Sequence, residues 1–343
     1  MRLWYIISDI HGSYRAFRNL LLHAQLVDEN NQWIGGEAHL FLLGDYVTSG
    51  PDSKQVIDLI RSLECQVPDQ VIALLGNHEL LLLRAIHDKH HRQEWLANPE
   101  HWQTIASWAG ANEELDNSLQ SLHIEPLSTQ TIAEIYQAVA KSDPASDLLI
   151  EQATQQWRFN HPHFTSDLWE VWSLFLRTIE ADGTLEWIEK LPVAHRANEW
   201  GLFHAGPPIG FDGNINDLNN QFDVLRQAGS FAHPLLVSDG SLNSPVGTRR
   251  WWEEVSQVEL LLNRFEIERC AFGHDPKAIE PRGIVGSVWD KAVSTDPYMR
   301  GNIEGMIRIH GSCVDAIYTD AAVSILQNIY PQRTFFTVNR LIG

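Results

Sequence analysis

Leu3-Trp4-Tyr5-Ile6-Ile7-Ser8-Asp9-Ile10-His11-Gly12, His39-Leu40-Phe41-Leu42-Leu43-Gly44-Asp45 and Val71-Ile72-Ala73-Leu74-Leu75-Gly76-Asn77-His78-Glu79 share one design. Each is an apolar run that stops at a glycine and at carboxylate, amide or imidazole side chains. Such runs predict buried strands over 3–8, 38–43 and 70–75. Between them Phe17, Leu20, Leu21 and Ala24 recur at helix-face spacing, as do Val56, Ile57, Ile60 and Leu63 after Pro51, a residue suited to a helix's first turn. Strand, helix, strand, helix, strand implies a parallel sheet with right-handed crossovers. Ligands of such sheets gather beyond the carboxyl ends of the strands, where these polar groups fall.

Asp9 and His11 lie two apart on a strand-end turn, and Asp45 and Asn77 end the next two strands, so four ligand-type side chains are expected to converge. Oxygen and imidazole donors without thiolate suit manganese, iron, zinc or magnesium. Two such ions sharing a carboxylate can hold a hydroxide between them, lower its pKa and aim it at phosphorus. Metal-assisted phosphoester hydrolysis is the chemistry this pattern points to. His78 is placed to protonate a leaving alkoxide, since imidazole titrates near working pH. Singly these segments mean little, and Asn77 would serve equally as a helix cap. Their order and shared place at strand ends carry the reading.

With 343 residues, 44% of them hydrophobic, the chain can bury a large core. A formal net charge of −19 argues against unaided binding to nucleic acid or anionic membrane. Bound cations would reverse that sign locally and admit a phosphorylated substrate. Leu3 to Ile7 is too short for a signal-peptide core, and no apolar run approaches membrane-spanning length. Cys65, Cys270 and Cys313 are odd in number and far apart, which disfavours a disulfide framework or thiolate zinc site and fits a cytoplasmic setting.

Residues 80–195 are rich in Trp and Gln and predict mostly helix, with a break at Ser142-Asp143-Pro144. Strands are expected again at Trp200 to Phe203 before His204, at Cys270 to Phe272 before Gly273-His274, at Met306 to Ile309, and at Thr334 to Val338. His204 and His274 each follow a short apolar run and border a glycine or an alanine-glycine pair, as strand-end ligands would. His90, His91, His161, His163 and His310 lack that context. The organisation expected is one catalytic domain over 1–343 with residues 85–195 as a helical insertion. Trp95, Trp102, Trp108, Trp157, Trp169, Trp172 and Trp187 lie in it. At helical spacing such rings are more often core than ligand platform, although a lid over the site would suit stacking on an adenine.

Together the three motifs resemble those of the calcineurin-like metallophosphoesterases, in the branch of the bacterial phosphoprotein phosphatases. Leu26-Val27-Asp28, Trp33-Ile34-Gly35-Gly36 and Gly50-Pro51-Asp52-Ser53 resemble the Shewanella-like protein phosphatases in particular. The likeness is dense over the first 80 residues or so, recurs at His204-Ala205-Gly206 and Gly273-His274, and skips the insertion. It implies a four-layer α/β/β/α sandwich. It also implies one metal on Asp9, His11 and Asp45 and another on Asp45, Asn77, His204 and His274, manganese foremost. Pro276 stands where many members carry a further histidine, which fits the protein-phosphatase and diadenosine-tetraphosphatase branches.

The family's second motif usually reads Gly-Asp-x-x-Asp-Arg-Gly, whereas here Thr48 and Ser49 replace the aspartate that orients the catalytic histidine and the arginine that clamps the phosphoryl oxygens. The stretch Ser244 to Trp251 resembles one that carries a phosphate-binding arginine in the bacterial enzymes. Arg249 aligns best and Arg250 next, the alternative being a solvated pair beside an aromatic. The expected function is a dinuclear-metal phosphomonoesterase of the Ser/Thr protein-phosphatase type, acting on a phosphorylated protein or small phosphoester. Hydrolysis of diadenosine tetraphosphate or a related nucleotide is the alternative, and a metal-holding regulatory module with little turnover is the third.

Overall fold

A computed structural model describes residues 3–122, 134–135, 152, 155, 166–238, 240–276, 278–279 and 284–329. The opening runs form β1 (Leu3–Ile7), β2 (His39–Leu42) and β3 (Val71–Ala73), paired in parallel with Trp4 opposite His39 and Leu40 opposite Val71. Helix α1 (Tyr14–His23) buries Phe17, Leu20 and Leu21, and α2 (Ser53–Gln66) buries Val56, Ile57, Ile60 and Leu63. Pro51 precedes α2 instead of opening it. The Gly50 and Asp52 N–H groups donate to the His11 and Gly12 carbonyls at 2.8 and 3.0 Å, which commits this segment to the loop facing the first motif.

The third motif opens α3 (Asn77–His87), followed by α4 (Lys89–Leu96), α5 (Pro99–Ser107), α6 (Glu113–Ser121), α7 (Ser166–Ala181) and α8 (Thr184–Lys190). Helix α5 starts where the Asn98 side chain accepts the Glu100 N–H and Pro99 takes the first turn. Trp95, Trp102, Trp108 and Trp172 are buried, Trp187 packs on the same core, and Trp169 receives Lys89 and Arg92 at its face. Trp95, Trp102, Trp108 and Trp172 join the same buried cluster as Val56, Ile60 and Leu80. The break at Ser142 to Pro144, the strand at Thr334 to Val338, Trp157, His161 and His163 lie outside the described residues.

Strand β4 (Ala194–Ala197) begins inside the stretch read as helical insertion and turns back antiparallel onto β5 (Trp200–Phe203). Helices α9 (Ile215–Gln227) and α10 (Val255–Arg264) lead to β6 (Arg269–Phe272), parallel to β5, and the short hairpin β7 (Gly286–Val288) and β8 (Ala292–Ser294) closes that sheet. Strands β9 (Gly305–His310) and β10 (Cys313–Tyr318) return to the first sheet, and α11 (Asp320–Ile329) follows. The sheet orders are β10-β9-β1-β2-β3 and β4-β5-β6-β8-β7.

Alternate residues of the strands enter two different cores, as period-two side chains require. Trp4 and Ile6 pack with Trp200, Leu202, Ala271, Val293, Ile307 and Ile309 between the sheets. Tyr5, Ile7, Leu40 and Leu42 face α1 and α2, while Cys270 and Phe272 share a core with Leu218 and Phe222 of α9 and Val258 and Leu261 of α10. The result is the four-layer α/β/β/α sandwich. The carboxyl ends of β1, β2, β3, β5 and β6 open onto one edge.

Candidate metal centre

Asp9, His11, Asp45 and His274 all adopt left-handed backbone, with φ of 54°, 49°, 60° and 61°. For a non-glycine residue this costs about 1–2 kcal/mol, a strain characteristic of functional sites. Cross-loop hydrogen bonds hold it: Asp9 N–H to Gly44 O at 3.1 Å, His11 N–H to Asp45 O at 2.7 Å, and Gly273 N–H to His204 O at 2.7 Å. Two glycines are required by close approach. A Cβ on Gly76 would stand 2.2 Å from the Asp45 nitrogen, and one on Gly273 would stand 2.3 Å from Asp9 Oδ2.

His11, Asp45 and His78 form one cluster whose ligand-type atoms lie within 4.8 Å of one another, and Asp45, His204 and His274 form a second. His11 donates from Nδ1 to the Val47 carbonyl at 3.3 Å, which leaves a lone pair on Nε2. That Nε2 is buried without a hydrogen-bond partner, 3.5 Å from Asp45 Oδ2 and 3.9 Å from Asp9 Oδ1. His204 likewise donates from Nδ1 to the Leu43 carbonyl at 2.8 Å, so its bare Nε2 faces Asn77 Oδ1 at 2.9 Å and Asp45 Oδ1 at 3.5 Å. His274 Nδ1 is 3.0 Å from the same amide oxygen. With the Asn77 oxygen inward, acceptors meet acceptors, and a cation resolves that. Turned over, the amide nitrogen instead donates to His204, His274 and Asp45.

Electrostatics favour the same occupant. Burial, Asp9 and Glu79 push the Asp45 carboxyl well above its ordinary range, so its anion needs a counter-charge. Burial lowers the His11 and His204 imidazoles, His204 to about 3, which keeps both neutral and available as ligands. Asp9 Oδ2 accepts the His274 N–H at 3.0 Å and ties the two sheets together across the centre. The residues present therefore fit a pair of divalent cations with Asp45 between them.

The family model described as calcineurin-like phosphoesterase matches residues 4–278. The chain belongs to that family. It is 30% identical over 143 residues to a symmetrical bis(5'-nucleosyl)-tetraphosphatase of Buchnera aphidicola, covering 38% of this chain and 48% of that protein. It is 35% identical over 79 residues to a zinc-dependent endopolyphosphatase of Saccharomyces cerevisiae, covering 23% of this chain and 21% of that one. The chain thus spans about half or less of the length of these relatives. A cold-active protein-tyrosine phosphatase of a Shewanella species superposes with a TM-score of 0.56 at 14% identity, covering 93% of this chain and 78% of that one, and shares the fold.

Around this phosphoesterase centre, Nδ1 of His78 meets the Thr48 hydroxyl at 2.6 Å. The Ser49 hydroxyl donates to Glu100 of α5 at 2.9 Å, so α5 reaches into the second motif's loop. Asp275 accepts the Arg250 N–H at 3.4 Å. Arg249 donates to the carbonyl of His274 at 3.1 Å and stands beside the centre, whereas the Arg250 side chain is 75% exposed and paired with Glu253 at 2.6 Å.

Two residues escaped the sequence reading of the site. The Glu79 carboxylate accepts four backbone N–H groups, from Asp45, Tyr46, Val47 and Gly76 at 2.7–3.1 Å, and so shapes the loop that presents Asp45. Its place three residues after Gly76, at a helix start, was a usable capping signal. Arg300 acts electrostatically on His11, Asp45 and His78 from the far end of the chain, and no spacing announces it.

Proposed function

We propose that the chain is a dinuclear-metal-dependent phosphoester hydrolase whose centre is held by Asp9, His11, Asp45, Asn77, His204 and His274. The observation that carries this is Asp45 shared by two groups of ligand-type side chains, one with His11 and His78 and one with His204 and His274, with Asp9 Oδ1 3.9 Å from His11 Nε2 and Asn77 Oδ1 2.9 Å from His204 Nε2. Bound there, two divalent cations, manganese first among the candidates, supply Lewis acidity to the phosphoryl group and make water a competent nucleophile at neutral pH. Asp45 keeps the two positions adjacent, and Asn77 orients a phosphoryl oxygen. Arg249 offers a fixed cation beside His274, and His78 delivers a proton towards the leaving oxygen. Burial keeps water from competing for these groups.

Phosphomonoesters are the leading substrate class, with Ser/Thr-type phosphoprotein turnover foremost in a cytoplasmic setting. A second reading, cleavage of bis-nucleosyl polyphosphates, is favoured by Thr48. A phosphate leaving group needs less help from an acid than an alkoxide does, and a hydroxyl supports a protonated His78 less than a carboxylate would. Burial of Trp95, Trp102, Trp108 and Trp172 removes those rings as base-stacking partners. Initial rates with manganese on p-nitrophenyl phosphate, a phosphoserine peptide and diadenosine tetraphosphate test the choice, with Asp45→Asn as blank. Monoester cleavage that disappears in the blank supports the phosphatase; preference for the dinucleotide moves the assignment. Silence on all three with metals bound leaves the regulatory module.

A further inference from the structure

Thr48 stands where the family's second motif has its aspartate, and its backbone is left-handed, with φ of 72°. Ser49 follows in the same region with φ of 63°. For a β-branched residue that conformation is an outlier, and such strain persists only where the surroundings hold it. The holder is α5. Thr104 is buried, and its Oγ1 accepts the Thr48 N–H at 3.0 Å. One turn earlier, the Glu100 carbonyl accepts the Ser49 N–H at 3.3 Å and the Glu100 carboxylate the Ser49 hydroxyl at 2.9 Å. One turn later, the Ser107 hydroxyl oxygen accepts the Lys54 N–H at 3.3 Å. Residues 100, 104 and 107 share one helix face, so a single stripe of α5 grips the loop from Thr48 to Lys54.

The strained turn aims a side chain. Thr48 Oγ1 lies 2.6 Å from Nδ1 of His78, whose ring stands edge-on to His11 with centroids 4.8 Å apart and edge-on to His101 of α5 at 6.3 Å. Relaxing φ to the ordinary range would turn the Thr48 Cα–Cβ bond, and the hydroxyl with it, to another direction. A buried N–H that loses its acceptor is costly, so the loop is driven to relax if Thr104 loses its oxygen.

Resting on the hydrolase reading above, in which His78 serves the leaving oxygen, we propose that Thr104 is a positioning residue for His78, acting through Thr48. The Thr104 oxygen pins the left-handed Thr48 backbone, and the Thr48 hydroxyl then fixes the orientation of the imidazole and the nitrogen that carries its proton. A residue outside all three motifs, 56 positions along the chain from Thr48, thereby sets the geometry of the proton donor.

The test compares wild type, Thr104→Val, which keeps the shape without the acceptor, and Thr104→Ser, which keeps the acceptor. Thr104→Ala is carried alongside so that a misfit of valine does not decide, and metal content and Tm are measured in every sample. Long-range proton–nitrogen spectra of the zinc-loaded chain (zinc being diamagnetic), isotope-labelled in its histidine nitrogens, read each ring at one fixed pH. His78 is assigned by its loss in His78→Asn. The expected result is two well-separated nitrogen shifts for His78 in wild type, drawn together in Thr104→Val as tautomers mix, and restored in Thr104→Ser. In turnover with manganese, Thr104→Val lowers kcat for an alkyl phosphate about tenfold more than kcat for p-nitrophenyl phosphate, with KM for each within about twofold of wild type. On a Thr48→Val background, Thr104→Val changes that ratio no further, because the two residues act as one unit. A wild-type His78 spectrum in fully loaded Thr104→Val, or equal losses on both esters with a lowered Tm, would make Thr104 a packing residue and overturn the proposal. Independent, multiplying effects of the two substitutions overturn it as well. A His78 spectrum that depends on Thr104 in a chain whose wild type cleaves neither ester upholds the positioning and sinks the hydrolase reading alone.

Discussion

The Thr48 hydroxyl oxygen lies 2.6 Å from Nδ1 of His78 and 3.4 Å from Nδ1 of His11. Nδ1 of His11 carries a proton, because its other neighbour is the Val47 carbonyl. The assignment that gives the Thr48 proton an acceptor has the hydroxyl donating to Nδ1 of His78, which then holds its own proton on Nε2 as a neutral imidazole. A carboxylate in this place would accept from Nδ1 and support the imidazolium.

With a weakly supported acid, p-nitrophenyl phosphate is cleaved much faster than an alkyl phosphate of similar size. Thr48→Asp should raise the alkyl rate about tenfold relative to the aryl rate, a modest part of what general acid catalysis can supply. Rate series on both ester classes check this, and an unchanged ratio would remove the acid role from His78.

Glu79→Gln replaces a carboxylate that serves four N–H donors with an amide that can accept at one oxygen only. Two buried donors lose their partners, at about 1–3 kcal/mol each. Urea unfolding should show about 2–6 kcal/mol less stability, and titration with manganese a weaker centre because the Asp45 loop loosens. Wild-type metal affinity in this variant would show that the loop is shaped by something else.

His101 supplies the clearest pH signature outside the metal cluster. It is buried against Trp95 with ring centroids 4.5 Å apart, donates from Nδ1 to the Trp95 carbonyl, and burial lowers its pKa to about 4. The unfolded imidazole takes up a proton near 6.5 and the folded one near 4, so the unfolded state binds more protons in between. Stability is full above about 6.5, falls as pH drops towards 4, and levels below. The loss approaches about 3 kcal/mol if the whole shift is realised. Other buried imidazoles act in the same sense, so the diagnostic is the difference between wild type and His101→Phe. Parallel stability curves would contradict it.

Arg249→Ala should weaken turnover about 10–100-fold, as expected for loss of a charged hydrogen-bonding group beside His274. Arg250→Ala should change kcat/KM by less than about twofold, since its exposed pairing with Glu253 is worth little. Steady-state kinetics on p-nitrophenyl phosphate compare the two, and the reverse ranking would exchange their roles.

The first sheet's parallel core was legible because each apolar run ends in a polar group the chain would not otherwise place there. His204 and His274 were legible for the same reason, and the four-layer architecture followed from family resemblance. Strands β7 and β8 span three residues each, too short for alternation to register, and β4 hides at the end of a helical stretch. Pro51 misled because a tertiary contact between Gly12 and the 50–52 backbone outranks a local preference for the first helical turn. Arg300 was invisible because a crossing between sheets creates its neighbourhood, and sequence spacing does not encode that. The Trp spacing over residues 85–195 did indicate core, and Trp95, Trp102, Trp108 and Trp172 are core.

The most direct test of the account counts metal in the purified chain after loading with manganese, for wild type and Asp45→Asn, while following p-nitrophenyl phosphate hydrolysis in the same samples. Two ions per chain are expected in wild type and at most one held tightly in the variant, with a fall in rate of at least about 10²-fold, the scale expected when charge stabilisation at the reacting group is lost. Two ions retained in Asp45→Asn with wild-type turnover, or a wild-type chain that hydrolyses the ester without metal, would contradict it.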